Sequence, residues 1–249
     1  MKFIEAFWEK RNLGLNTLEI EFDDNEEINY LSFKDKIKNY DYIVAKVPNN
    51  NIKICHLLEQ NDFKFMESQM FIKKNLKDYS KKNDYFNKFL EKISIQQIID
   101  KSSLEKLLSL IDEDMFNTDR ISLDEYFGKK KAMNRYKNWI KDELEKDKSE
   151  VYELISQDEK IGFFLIKNIQ KNSIDGLLGG IFTKYKNQGM GLSIIQKPME
   201  IAISKNKKYL KTRISSNNIS VIKLYNLYGF KIYDIKYVFR KINKEVINI

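Results

Sequence analysis

Residues 186–191 read Lys-Asn-Gln-Gly-Met-Gly and connect a predicted strand, 174–182, to a predicted helix, 191–205. Because Gly189 and Gly191 are separated by one residue, successive backbone N–H groups can point into one concavity where the helix begins. The dipole and the unsatisfied N–H donors of such a helix start suit a pyrophosphate. The loop lacks the Lys-Ser/Thr pair of a Walker A motif and the third glycine of a dinucleotide fingerprint. It therefore indicates another kind of anion-binding loop, or a strand-to-helix turn that binds nothing.

The predicted strand before this loop contains Gly176, Gly179 and Gly180. Glycines inside a strand interrupt side-chain packing, which is typical of a bulge or of close approach by a ligand or another segment. A bulge at Gly179 and Gly180 would leave backbone N–H groups able to receive a carbonyl oxygen, as an oxyanion site requires. Tight packing of the strand against a helix explains the same glycines equally well.

A second motif occupies residues 218–230, Asn-Ile-Ser-Val-Ile-Lys-Leu-Tyr-Asn-Leu-Tyr-Gly-Phe. It predicts a helix that is capped by Asn218, carries Tyr225 and ends at Gly229. A phenol, with a pKa of about 10, is protonated at neutral pH and can give its proton to a departing thiolate, whose pKa is about 8.5. Since Tyr225 is one of 14 tyrosines, a place in an amphipathic core is the alternative interpretation.

The second motif lies within a repeat, because residues 42–74 align without a gap on residues 209–241. Each copy predicts a strand, an Asn-capped helix and another strand. The identical pairs are Tyr42/Tyr209, Asn50/Asn217, Asn51/Asn218, Ile52/Ile219, Leu57/Leu224, Phe63/Phe230, Lys64/Lys231 and Lys74/Lys241. The shared order of elements favours duplication over chance similarity in a chain rich in Lys, Asn and Ile. Leu58 and Asp62 replace the tyrosine and glycine in the first copy, which is therefore predicted to keep the fold without the site.

From residue 94 the predicted element order is β-α-α-β-β-β-α-β-α-β-β, and with the two motifs it resembles the GNAT superfamily of acyl-CoA-dependent N-acyltransferases. The family's phosphate loop, Arg/Gln-x-x-Gly-x-Gly/Ala, matches residues 186–191 except that Lys186 stands at the first position. The family's Asn-x-x-Ala-x-x-x-Tyr-x-x-x-Gly-Phe motif has Val221 in place of alanine. Its other positions match at Asn218, Tyr225, Gly229 and Phe230.

The resemblance covers residues 94–249 and implies an α+β protein with a mixed α/β sheet in the GNAT fold. We predict a catalytic GNAT domain at 81–249. Residues 1–80 are predicted to form a degenerate, partial GNAT-like domain without active-site motifs, and residues 79–84 a linker. The family implies acetyl-CoA or another acyl-CoA as co-substrate, no metal, and direct acyl transfer to an amine. A homodimer is expected from the resemblance alone.

Within the superfamily, the sequence resembles the N-acetyltransferases of nucleotide-linked amino sugars, which makes such a sugar the predicted acceptor. A protein, peptide or small-molecule amine is an alternative acceptor, and a non-catalytic CoA-binding scaffold is an alternative of another class. The resemblance assigns Tyr225 as the general acid. It assigns CoA binding to Ile181, Phe182, Thr183, Lys186, Asn187, Gln188, Gly189, Met190, Gly191, Leu192 and Asn218.

The acceptor site is expected, by the same resemblance, to involve residues 116–139. Arg120 would pair with a nucleotide phosphate. Aromatic side chains would stack on a base or sugar, although a place in the core is the alternative for each. The predicted acceptor residues are Arg120, Tyr126, Tyr136 and Trp139. The general base is not identified by the sequence, and Asp119 and Asp175 are weak candidates.

Composition excludes several other classes. Cys55 and His56 are the single cysteine and histidine, so a disulfide framework, a Cys-cluster zinc site and a His-based metal site are excluded. The net charge of +8 is spread evenly, which suits anionic small molecules and argues against a nucleic-acid partner. The longest apolar run, 161–166, is too short to span a bilayer. We therefore expect a cytoplasmic protein without a membrane partner.

Overall fold

The computed structural model of the protein describes residues 1–26, 28–79 and 90–243. The chain forms two compact units. The first comprises Met1–Met70, Ser215–Asn217 and Asp234–Ile249, and the second comprises Phe71–Ile214 and Asn218–Tyr233. Of the predicted linker 79–84, residues 80–84 lie outside the described part.

The elements follow one another with short connections. In chain order they are β1 (Lys2–Glu5), α1 (Trp8–Leu13), β2 (Thr17–Glu21), α2 (Tyr30–Ile37), β3 (Tyr42–Pro48), α3 (Ile52–Glu59), β4 (Lys64–Asn75), β5 (Ser94–Gln97), α4 (Lys101–Ser109), α5 (Arg120–Leu123), α6 (Gly128–Leu144), β6 (Ser149–Ser156), β7 (Glu159–Gln170), β8 (Ser173–Ile181), α7 (Ser193–Ser204), β9 (Tyr209–Ser215), α8 (Ile219–Leu227) and β10 (Lys231–Ile242). The predicted element order from residue 94 is confirmed except at two places: three helices rather than two follow β5, and one strand rather than two follows α8 in the described residues. The sequence predicts helical structure over 123–144, whereas the structure begins α6 at Gly128, whose left-handed φ of 74° is unfavourable inside a helix, and the short α5 precedes it.

In the first unit the strand order is β1-β2-β3-β10. Strands β2 and β3 are parallel, whereas β1 and β10 run antiparallel to their neighbours. The last strand of the chain therefore completes the sheet that its first strands begin. One face of this sheet buries a core of Leu18, Ile20, Ile43, Ala45, Val47 and Phe239, on which side chains of α2 and α3 pack.

The repeat in the sequence reappears as a repeat of structure, since β3-α3-β4 and β9-α8-β10 begin at positions related by the same offset. Asn51 and Asn218 cap their helices with nearly the same backbone angles. Asp62, with φ 65°, adopts the left-handed turn that Gly229 adopts with φ 70°. Even backbone hydrogen bonds are reciprocal: Asn49 N donates to Ile235 O, and Ser216 N donates to Ser68 O.

In the second unit the strand order is β9-β8-β7-β6-β5, with β8 and β9 parallel and the other pairs antiparallel. Val151, Phe163 and Leu165 face the helices α4 and α6 on one side of the sheet. The other side faces α7, because a Cβ on Gly179 would lie 2.7 Å from Ile194 Cγ2. In the described part of the chain, no helix has the length and apolar character needed to cross a bilayer.

Candidate active site

The two parallel strands of the second unit separate to form a fork. Strands β8 and β9 pair from Ser173↔Tyr209 to Gly176↔Thr212, after which both continue unpaired with each other. In the equivalent place of the first copy, β2 and β3 stay paired as far as Glu21↔Lys46. In the second unit both strands therefore continue beyond their last pair, whereas in the first unit β2 ends at its last pair.

A bulge in β8 lies at this fork. The register with β7 shifts between Leu165↔Leu178 and Ile166↔Gly176, which leaves Leu177 without a cross-strand partner. The bulge predicted at Gly179 and Gly180 is therefore misplaced, because both glycines are paired with β7. These glycines are explained by close packing, since a Cβ would meet Ile194 at one of them and Met115 at the other. The helix-packing alternative accounts for them.

Tyr225 of α8 reaches the fork at its last paired residue. A hydrogen bond joins its side chain to Thr212, whose hydroxyl also donates to the Gly176 carbonyl over 2.8 Å. The Tyr225 ring packs edge-on against Phe230, with 4.8 Å between ring centroids. Burial raises the pKa of Tyr225 to about 12, against an opposing effect of the Thr212 hydrogen bond. Tyr225 therefore holds a proton throughout the neutral range, at the point where β8 and β9 part.

The glycine-containing loop follows β8 and leads into α7. Asn187 and Gly189 have left-handed φ values of 63° and 78°, and Met190–Leu192 form a 3-10 turn before α7. Left-handed residues alternating with others are typical of backbone nests that bind anions. A Cβ on Gly191 would lie 3.3 Å from Leu224 Cδ1, so the loop comes close to α8. The loop suits a diphosphate, and the fork with its protonated phenol suits a thioester. Together they fit a thioester co-substrate that carries a diphosphate.

The left-handed angle at Gly189 allows a test of the loop. We expect Gly189→Val to raise the KM for acetyl-CoA about 10-fold, because a β-branched residue resists this φ by about 1–2 kcal/mol. Gly14→Val is the matched control, since Gly14 has a φ of 81°, open space around it and no place in the loop. Steady-state kinetics of both variants check this, and equal KM values for the two would contradict an anion-binding role of the loop.

The remaining predicted CoA-binding residues lie around this loop. Ile181 ends β8, and Thr183 Oγ1 donates to Asp112 Oδ1 over 2.8 Å. A cavity of about 390 Å³ beside them is lined by Leu110, Asp112, Glu159, Lys160, Phe182, Thr183, Lys184 and Tyr185. Asn218 caps α8 by accepting a hydrogen bond from Val221 N, so its side chain already has a structural task. The roles of these residues toward CoA stay predictions.

The predicted acceptor residues divide into two groups. Tyr136 stacks on Phe116 at 4.2 Å and lies 6.2 Å from Trp139, measured between ring centroids. This cluster lies over β8, because Phe116 is 3.6 Å from the position of a Cβ on Gly180. Arg120 is only 8% exposed, so little of it is accessible to a ligand in this arrangement, whereas Tyr126 is 38% exposed.

The two candidate bases differ in their surroundings. Asp119 accepts hydrogen bonds from the Tyr136 hydroxyl and from Ile121 N, so each carboxylate oxygen has a donor. Asp175 lies one residue before the fork, opposite Lys167 on β7 and Lys211 on β9. Burial raises the pKa of Asp175, while the nearby cations Lys211, Arg213 and Lys167 act in the opposite direction. The structure thus places Asp175 next to the fork, whereas Asp119 is held by the Tyr136 hydroxyl and by Ile121 N.

Side chains on β4 and β9 near the fork were not found from the sequence. Phe71, Lys211 and Arg213 come from segments far apart in the chain, and only the strand arrangement makes them neighbours. The alternation of side chains along β9 is the one sequence signal that could have placed Lys211 and Arg213 on a common face. Within the described residues, no group of three or more His, Cys, Asp or Glu side chains could hold a metal ion.

A parallel strand pair thus opens beside a glycine-containing loop and a half-buried phenol, which is the arrangement that the sequence resemblance implies. Residues 97–249, more than half of the chain, match the family model of the acetyltransferase (GNAT) domain. The chain therefore belongs to the GNAT acetyltransferase family, whose members use acetyl-CoA as co-substrate. A comparison with curated protein sequences gave no match.

Solved structures with the same fold include three of interest. A GCN5-related N-acetyltransferase from Sphaerobacter thermophilus has a TM-score of 0.59 and 11% identity over 81% of this chain and 59% of its own. A functionally unknown conserved protein from Staphylococcus epidermidis has a TM-score of 0.63 and 17% identity, over 92% of this chain and 85% of its own. A tandem GNAT protein from the clavulanic acid biosynthesis pathway has a TM-score of 0.53 and 7% identity, over 81% of this chain and 64% of its own. The chain thus spans less than two thirds of the first and third of these proteins, and the likeness concerns the fold.

Proposed function

We propose that this protein transfers an acetyl or other short acyl group from acyl-CoA to the amine of a nucleotide-linked amino sugar. The acyl group passes directly to nitrogen, with Tyr225 as general acid. The observation that carries the proposal is the fork that opens after Gly176↔Thr212, with the Tyr225 side chain hydrogen-bonded to Thr212. The amino-sugar acceptor is supported by the sequence resemblance to dTDP-fucosamine acetyltransferase.

Each residue has a defined task in the proposed reaction. Backbone N–H groups of 188–192 hold the diphosphate of CoA, and the bulge at Leu177 offers an N–H to the thioester oxygen. The bound co-substrate supplies an acyl carbon that is activated by its thiolate leaving group. Asp175, directly or through water, takes a proton from the ammonium, and the free amine then forms the C–N bond. Tyr225 gives its proton to the sulfur as the C–S bond breaks, and the second proton of the nitrogen, lost as the amide forms, returns through water to the Tyr225 oxygen.

The substrate class is tested by measuring release of free CoA thiol from acetyl-CoA in the presence of different amines. We expect dTDP- and UDP-linked amino sugars to support release, whereas free hexosamines, peptides with a free N-terminus and aminoglycosides support it at least about 10-fold less well. Mass spectrometry should find the acyl group on the sugar nitrogen. Turnover confined to peptides or antibiotics would overturn the sugar assignment, and binding of CoA without turnover of any amine would favour the scaffold.

A further inference from the structure

A patch of aromatic and cationic side chains lies beside the fork, within the second unit. We define the β4–β9 patch as Phe71, Lys73, Lys211, Arg213 and Tyr233. The Arg213 guanidinium lies 5.9 Å from the centroid of the Phe71 ring, and Lys73 Nζ lies 5.2 Å from that of Tyr233. The two rings meet edge to face at 6.2 Å. Cations and rings thus alternate on one surface.

Strand register places Lys211 and Arg213 of this patch on the same face of the sheet as Asp175. Lys211 is directly opposite Asp175, and directly opposite residues project to the same side. Arg213 follows Lys211 by two residues on β9 and therefore shares that face. Asp175 belongs to the last paired residues and Arg213 to the first unpaired stretch. The patch thus begins at the opening where β8 and β9 part.

Within the described part of the chain, Asp175 is the carboxylate that acts on Lys211 and Arg213, so one negative charge faces the cations of the patch. Lys167, the third cation near Asp175, lies 2.7 Å from Glu143 and is paired there. Lys211 Nζ donates to the neutral Gln170 side chain over 3.0 Å. Among the described residues, Lys73 and Arg213 have no carboxylate within ion-pair distance. Both are exposed, and Tyr233 is 46% exposed, so solvent and ligands reach this surface.

We propose that the β4–β9 patch binds the nucleoside diphosphate part of the acceptor, an inference that rests on the function proposed above. Arg213 offers a planar set of donors that suits phosphate oxygens, and Lys211 and Lys73 add positive charge. Phe71 and Tyr233 offer ring faces and edges to the base. Asp175 is left to face the amine at the fork. Recognition of the anionic part is thereby separated from Arg120, which is largely buried.

The proposal is tested by calorimetric titration of dTDP into the full-length protein with desulfo-CoA saturating, so that the glycine loop is already filled. We expect dTDP to bind, and Arg213→Gln to raise its Kd at least about 10-fold. Lys211→Gln should raise it less, because Lys contributes charge without bidentate geometry. Lys101→Gln is the matched control: it removes the same charge from an exposed position at the start of α4 and should leave the Kd unchanged.

Two outcomes would overturn the inference: no dTDP binding at millimolar concentration, or the same Kd for Arg213→Gln and Lys101→Gln. Thermal unfolding of each variant shows whether a loss of binding is a loss of fold. The CoA-release assay separates this inference from the proposed function. Turnover of amino sugars without dTDP binding would contradict the binding role of the patch and support the proposed reaction. Binding of dTDP without turnover of any amine would support the binding role and contradict the proposed reaction.

Discussion

Tyr225→Phe is expected to lower kcat for acyl transfer about 100-fold, at an almost unchanged KM for acetyl-CoA. Loss of a general acid costs at least this factor in typical enzymes. The phenylalanine ring keeps the packing against Phe230, whereas the hydroxyl that hydrogen-bonds Thr212 is lost. Single-turnover rates with a confirmed amine acceptor measure the effect on the chemical step alone.

The high pKa of Tyr225 decides how the acid can work. A phenol with a pKa of about 12 gives its proton unfavourably to a thiolate whose pKa is about 8.5. Burial penalises every anion in the same place, so it also raises the pKa of a sulfur that leaves beside Tyr225. The proton is then transferred as the sulfur charge develops, not before. Because the folded pKa lies above the neutral range, Tyr225 should cause no fall in rate below about pH 10.

Tyr228→Phe is the control for this prediction, because Tyr228 follows Tyr225 by three residues and is the C-cap of α8. Its hydroxyl donates to Gln196 Oε1 over 3.1 Å, away from Thr212. The same atom is removed and a hydrogen bond is lost, so stability falls in both variants by about 1 kcal/mol. Only Tyr225→Phe should lose the chemical step. An equal kcat for Tyr225→Phe and wild type would show that another group protonates the sulfur.

Local sequence patterns were enough to predict most elements from residue 42 onward, but β1, α1, β2 and α2 were not predicted. Asn51 and Asn218 cap helices, and Gly229 ends one, because each acts on its own neighbours. Because residues 42–74 repeat residues 209–241, the elements predicted in one copy also supported those in the other. The helical stretch predicted over 123–144 begins only at Gly128 in the structure, since a left-handed φ leaves no mark in apolar periodicity. Pairing of β10 with β3 was not predicted, because a contact across the whole chain depends on tertiary packing.

The geometry of the site was less accessible from the sequence. The loop and Tyr225 were found because they belong to compact motifs. The bulge was assigned to Gly179 and Gly180, although it lies at Leu177, a residue type that carries no signal for a bulge. The fork arises because β8 and β9 both continue after they stop pairing, whereas β2 ends at its last pair with β3. That difference depends on how two strands pair, whereas a residue pattern describes only one strand.

Glu143 connects the end of α6 to the sheet through three donors. It is only 5% exposed, and its carboxylate lies 2.6 Å from Lys146 Nζ and 2.7 Å from Lys167 Nζ. The Ser149 hydroxyl donates to it over 2.8 Å. Burial disfavours its charge, but the hydrogen bonds from Lys146, Lys167 and Ser149 outweigh this and lower its pKa from 4.5 to about 2. Glu143 is therefore ionised and satisfied in the folded protein.

Glu143→Gln should lower the free energy of unfolding by about 3 kcal/mol at pH 7, as the pKa difference between the unfolded and folded states implies. Because the pKa of Glu143 is lower in the folded state, its charge stabilises the fold at pH values above the unfolded pKa of 4.5. This contribution to the free energy of unfolding is lost as the pH falls toward 2. The difference between wild type and variant should thus shrink to about 1 kcal/mol at pH 3 in urea unfolding. Glu105→Gln is the control: its exposed pair with Lys141 should contribute less than about 1 kcal/mol. A Glu143→Gln effect that is equally large at pH 3 and pH 7 would mean that packing, rather than charge, holds α6 to the sheet.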